Sequence, residues 1–134
     1  MNARDRGRVT IFFAIIAPAW IAMLGLVVVG GGRIRAFQRA DNVAAEAARA
    51  AGSAIQPASA VQGGPKVVDP TRAQSAALAY LTAAGATGSV TVSPDQIHLT
   101  VTAVINYANP SGLQFIGGAT WQATGVATAT LLVG

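Results

Sequence analysis

The 134-residue chain has no cysteine and one histidine. Disulfide frameworks, thiolate metal sites and cysteine nucleophiles are therefore excluded. Charge is also scarce: nine basic and five acidic residues stand against a 52% hydrophobic content. A chain disordered throughout would show the reverse balance. No Gly-x-x-x-x-Gly-Lys-Ser/Thr phosphate loop occurs, so energy for any assembly step has to come from a separate ATPase. His98 stands without a second histidine or an acidic cluster in sequence, and reads as a solvated strand residue, not a metal ligand or general base. The scattered carboxylates form no acid–base pair, and Asp41 and Glu46 read as helix-surface partners of arginines. The expectation is a protein without catalysis and without a cofactor.

What charge there is lies unevenly. Residues 1–49 hold seven arginines against Asp5, Asp41 and Glu46, whereas residues 50–134 balance Lys66 and Arg72 with Asp69 and Asp95. The basic residues flank one apolar segment, an arrangement suited to a lipid bilayer with anionic headgroups. A nucleic-acid surface would need a basic stripe with interleaved aromatics, so no nucleic-acid partner is expected.

Residues 9–32 are 24 consecutive uncharged positions bounded by Arg8 and Arg33. As a helix they extend about 36 Å at roughly 1.5 Å per residue, enough to cross a bilayer. The segment is apolar on every side, unlike a soluble amphipathic helix; Pro18 marks an expected kink and Trp20 an expected lipid or interfacial contact. The h-region of a cleaved secretory signal is shorter, about 7–15 residues. The Ala58-Ser59-Ala60 triplet lies too far downstream to serve as its cleavage site, so a retained span is expected. Arg4, Arg6 and Arg8 precede the span and Arg33, Arg35 and Arg39 follow it, a tie for the positive-inside count. The nearly uncharged remainder favours a short cytoplasmic tail at residues 1–8 and an extracytoplasmic C-terminal part.

Residues 33–51 are rich in helix formers and free of glycine and proline, which predicts a juxtamembrane helix. Arg35, Arg39, Asn42, Glu46 and Arg49 form a polar stripe, and Ala36, Ala40, Ala44, Ala47 and Ala51 form a stripe of small residues. Two readings of these stripes stand: a solvated face opposite an alanine-lined packing face, or an assembly face that meets neighbouring copies. Gly30, Gly31 and Gly32 predict a hinge between span and helix.

The Gly and Pro content of residues 52–70 predicts an irregular linker. Asp69 and Pro70 then open a second helix that carries Ala73, Ala77, Tyr80, Leu81 and Ala84 at helical spacing and stops at Gly85. From Gly88 the period falls to two, predicting strands at Val90–Val92, residues 97–107 and residues 121–133, with a short strand at residues 113–116 after the Asn109-Pro110-Ser111-Gly112 turn. Trp121 reads as a core residue. The fold class is α+β: an N-terminal transmembrane helix continuing into an alanine-rich helix, then a small helix-plus-sheet domain over residues 71–134. Its antiparallel sheet has one face covered by helices and one face wet.

Three segments together resemble the TadE/TadG-like proteins of tight-adherence (Flp-type) pilus systems, especially the actinobacterial ones. These are Arg4-Asp5-Arg6-Gly7, Val9-Thr10-Ile11-Phe12-Phe13-Ala14, and the alanine-rich residues 40–52 that follow a glycine-ended span. The resemblance covers residues 4–52, with a shared plan of a helix and Thr-rich strands beyond. It implies a minor pilin or pseudopilin whose partners are other pilins, membrane platform proteins and a separate secretion-type ATPase. It further implies prepilin processing after Gly7, before Arg8, although Phe12 stands where the family usually places a glutamate. The alternative is a membrane-anchored extracytoplasmic binding or scaffold module that never enters a filament.

Overall fold

The computed structural model describes residues 3–54, 61–63, 68–95 and 97–131; the Ala58-Ser59-Ala60 triplet and the end of the last expected strand lie outside them. The protein is α+β, with two helices and a three-stranded antiparallel sheet among the described residues.

Helix α1 (Ala3–Gly52) is a single 50-residue element, about 75 Å long at about 1.5 Å per residue. The hinge expected at Gly30–Gly32 is absent: helix continues through Pro18 and through all three glycines. The physical reason lies partly in packing. A Cβ on Gly32 would overlap the Tyr107 hydroxyl, so the missing side chain admits an aromatic ring against the helix. That contact works against the roughly 1 kcal/mol by which each glycine disfavours helix.

Helix α2 (Pro70–Ala83) begins as its sequence predicts. The Asp69 carboxylate accepts from the N–H groups of Thr71 (2.9 Å) and Arg72 (3.3 Å), Pro70 occupies the first turn, and Gly85, at φ 68°, lets the chain turn away after Ala84. Strands β1 (Thr87–Val92), β2 (His98–Ala108) and β3 (Thr120–Thr130) follow in the order β1-β2-β3. Register places Val90 opposite Val101, Val101 opposite Ala127, Ala103 opposite Gly125 and Tyr107 opposite Trp121.

Both helices cover one face of this sheet. Ala36, Ala40, Ala44, Ala47 and Ala51 of α1 join Ala73, Ala77 and Leu81 of α2 against Leu99, Val101, Ala103, Ala123 and Leu131. The largest fully buried side chains are Leu81, Leu99, Leu131 and Val101, so the core is thin. The other face is wet and threonine-rich, with Thr100 and Thr128 hydroxyls 3.3 Å apart across the β2–β3 pair. The core draws on residues 36–51 of α1 as well as on α2 and the three strands.

One further expectation is corrected. Residues 113–116 form turns, not a strand. Gly112 (φ 68°) and Gly117 (φ 84°) bend the chain on either side, and the Asn109 amide binds the Ile116 and Gly118 carbonyls at 2.8 Å each, leaving a closed loop.

Candidate functional site

Among the described residues no group of three or more His, Asp or Glu side chains is placed to hold a metal. The surfaces with functional content belong to the three faces of α1.

The first face is the stripe of small residues. Ala40, Ala44, Ala47 and Ala51 are completely buried and Ala36 is nearly so, all within the chain's own core. Of the two readings open for this stripe, the intramolecular packing face is the arrangement found. The stripe's surface is occupied by β2, β3 and α2. The stripe is also longer than the alanines suggest. Gly25 and Val29 are buried and Gly32 half-buried on the same helical face, continuing it into the apolar half at spacings of three and four. The sequence carries this extension as Gly25, Val29, Gly32, Ala36 and Ala40, at spacings of four, three, four and four, which a division into span and alanine helix hides.

The second face is polar. Arg35, Arg39, Asn42, Glu46 and Arg49 are all exposed. Arg35, Arg39, Asn42 and Glu46 line a shallow groove of about 350 Å³ closed on one side by Tyr80 of α2. Glu46 lies 3.8 Å from Arg49, one turn along, an exposed pair worth a few tenths of a kcal/mol. Asp41, expected as another such partner, is in no ion pair among the described residues.

The third face is the apolar half. Ile11, Phe12, Phe13, Ile15, Trp20, Ile21, Met23, Leu24, Leu26 and Val27 are all well exposed, and only 6% of the most apolar 18-residue window is buried. A core helix of a soluble protein would be mostly covered there; this one is long and apolar enough to cross a membrane. The Gly7–Arg8 bond lies near the start of α1, where both residues are helical and exposed.

Where the apolar half meets the sheet, Trp121 packs edge-on against Tyr107 with ring centroids 4.5 Å apart, and the Arg33 guanidinium lies 5.1 Å from the Trp121 ring centre. Trp121 is half-buried, and its indole N–H has no hydrogen-bond partner among the described residues.

His98 is not as isolated as its sequence suggests: its Nδ1 lies 3.4 Å from Asp95 across the β1–β2 turn. Asp95 accepts from the Ser93 hydroxyl and from the Ile97 N–H at 3.0 Å. The Ser93 hydrogen bond foremost, then the Ile97 amide and His98, hold its carboxyl at about 2, below the usual 3.8. A depressed carboxylate stabilises the fold above its unfolded value and loses that contribution as pH falls through the folded one. The turn is therefore expected to loosen as pH drops from 3.8 to about 2. The Ile97 amide resonance should titrate with a midpoint near the lower value; a midpoint near the upper would show that the Asp95 contacts are not formed in solution.

No family model, no curated protein and no solved structure matches the chain.

Proposed function

We propose that the chain is a membrane-anchored structural subunit, a minor pilin or pseudopilin, in the assembly of a tight-adherence pilus or a related secretion apparatus. One observation carries the reading: a single unbroken helix, α1, is bare and apolar over one half and covered by the chain's own sheet over the other. The bare half needs an apolar surrounding, and a bilayer or a bundle of like helices each supplies one. A subunit that passes from membrane to filament meets both with the same surface. The cytoplasmic N-terminus, the single pass and the extracytoplasmic sheet belong to this reading. So do partners among other pilins and platform proteins and a separate secretion-type ATPase. The resemblance of residues 4–52 supplies the system.

Deleting the gene should abolish thin surface filaments, and a tagged copy should restore them and appear in sheared filament fractions or at their membrane base. Protease added to spheroplasts should at the same time remove the part beyond Arg49. Intact filaments in the deletion strain, with the protein still surface-accessible, would overturn the pilus reading in favour of an anchored scaffold. Full protection until lysis would overturn the orientation.

A further inference from the structure

The loop between β2 and β3 does not project away from the molecule; it folds down along the apolar half of α1. The Leu113 and Ile116 side chains lie 3.6 and 3.3 Å from where a Cβ of Gly25 would be, and Gly117 approaches Val29 so closely that a Cβ there would stand 2.7 Å from its Cγ1. Beyond this contact the loop and helix flare into an apolar groove of about 430 Å³, lined by Ala17, Pro18, Ile21 and Ala22 on the helix and by Leu113, Phe115 and Ile116 on the loop. Phe115 is 82% exposed. A large aromatic side chain left bare beside a bare apolar helix shares that helix's surroundings.

The depth of the loop follows from helix arithmetic. A span counted from Val9 needs at least about 17 residues to cross, which takes it to Gly25 or beyond. Leu113 and Ile116, packed at Gly25, are then at or inside the hydrocarbon boundary. The groove at Ala17–Ala22 lies about 5–12 Å deeper at 1.5 Å per residue.

An irregular segment enters hydrocarbon only if its backbone polar groups find partners within the protein. Residues 109–119 contain no charge; the polar groups of Asn109 and Ser111 and part of the loop backbone are bonded within the loop, and the Gln114 side chain is exposed. The Asn109 amide donates to the carbonyls of Ile116 and Gly118. Its side-chain oxygen accepts from the Ser111 N–H (3.0 Å) and hydroxyl (2.7 Å). The Ile116 N–H donates to Leu113 O at 2.9 Å, the Gly118 N–H to Gln114 O at 3.1 Å, and the Leu113 N–H to the Ser111 hydroxyl at 3.2 Å. At the top of the loop, Tyr107, Trp121 and Arg33 supply the aromatic and cationic groups that favour a membrane–water interface.

We propose that the β2–β3 loop is a second membrane-inserted element: its tip, Leu113 to Ile116, enters the leaflet on the sheet's side of the bilayer beside α1, and phospholipid acyl chains fill the groove between them. This rests on the reading of α1 as a membrane span, and the test separates the two.

Because the chain is free of cysteine, single-cysteine variants carry a fluorophore at one site only. Phe115→Cys at the loop tip, Ile15→Cys in the span and Thr124→Cys on the wet sheet face would be labelled with an environment-sensitive dye. The full chain would be reconstituted in phosphatidylcholine–phosphatidylglycerol vesicles containing nitroxide-labelled phospholipids. The probes at positions 15 and 115 should both be quenched severalfold more than the probe at 124. Quenching at 15 with position 115 behaving like 124 would overturn the loop proposal and leave the span intact. No quenching at 15 would overturn both. A blue-shifted but unquenched probe at 115 would show that protein, such as a second copy of the chain, covers the tip in place of lipid, and would also overturn the proposal.

Discussion

Replacing Gly125 by valine is expected to detach α1 from the sheet and abolish cooperative folding of the part outside the span. Gly125 lies in the middle of β3, opposite Ala103 and directly beneath Ala40. A Cβ there would overlap the Ala40 carbonyl group and the Asp41 nitrogen. These are backbone atoms of a continuous helix, so no rotamer change can relieve the overlap. Overpacking commonly costs about 1–3 kcal/mol, and with only backbone to yield, the loss should reach at least the upper end. That is a large fraction of a typical domain's total stability of about 5–15 kcal/mol. Gly30→Ala is the matched control: nothing lies within 4 Å of a Cβ at Gly30, and the site is helical. Alanine should stabilise that position by up to about 1 kcal/mol. Denaturant titration of the full chain in detergent, followed through the near-ultraviolet signal of Trp121 and Tyr107, measures both. Wild-type behaviour for Gly125→Val would show that α1 and β3 do not touch as described.

The second large effect concerns Ala44→Leu combined with Ala47→Leu. Both residues are completely buried, and leucine is nearly as good a helix former as alanine, so the substitutions test packing and not helix formation. Each added side chain should cost about 1–3 kcal/mol. The two sites are three residues apart on one face and share neighbours, so the sum need not be additive. Membrane association, which the proposed function assigns to the untouched residues 9–32, should be unchanged, while limited proteolysis should cut within β2 and β3 where the wild type resists. A double variant that keeps native protease resistance yet fails to restore filaments would return the stripe to the role of an intermolecular contact.

The comparison of sequence with structure turns on what periodicity can carry. The two strands β2 and β3, the Asp69 cap and the apolar segment were legible because each depends on local pattern: alternation in Thr100 to Tyr107, a capping carboxylate followed by proline, and an uncharged run longer than a bilayer requires. Gly30, Gly31 and Gly32 misled, since helix propensity disfavours glycine while giving no sign that Tyr107, 75 positions after Gly32, would settle on that residue. The stretch Leu113-Gln114-Phe115-Ile116 misled in the opposite sense: its composition suits a strand, but Asn109 and the positive-φ glycines around it close it into a loop. The alanine stripe reads as a contact face, but composition does not say whether the partner is another chain or this one. Its partner, Gly125, is marked in the sequence only by a glycine inside an alternating strand, a common sign of close backbone approach.

The unbroken course of α1 has a mechanical consequence. A helix that joins its apolar half to the sheet without a flexible segment transmits axial displacement and rotation with almost no slack. Drawing the apolar half outward by one residue's rise, about 1.5 Å, moves the attached face of the sheet by a similar amount in the same sense. Rotating it by one residue, about 100° at 3.6 residues per turn, swings the sheet around the helix axis. Load applied to the sheet returns to the helix through the alanine contact with β3 around Ala40 and Gly125 and through the loop contacts at Gly25 and Val29. The lever arm is set by α1, and its grip on the sheet by the smallest side chains in the core.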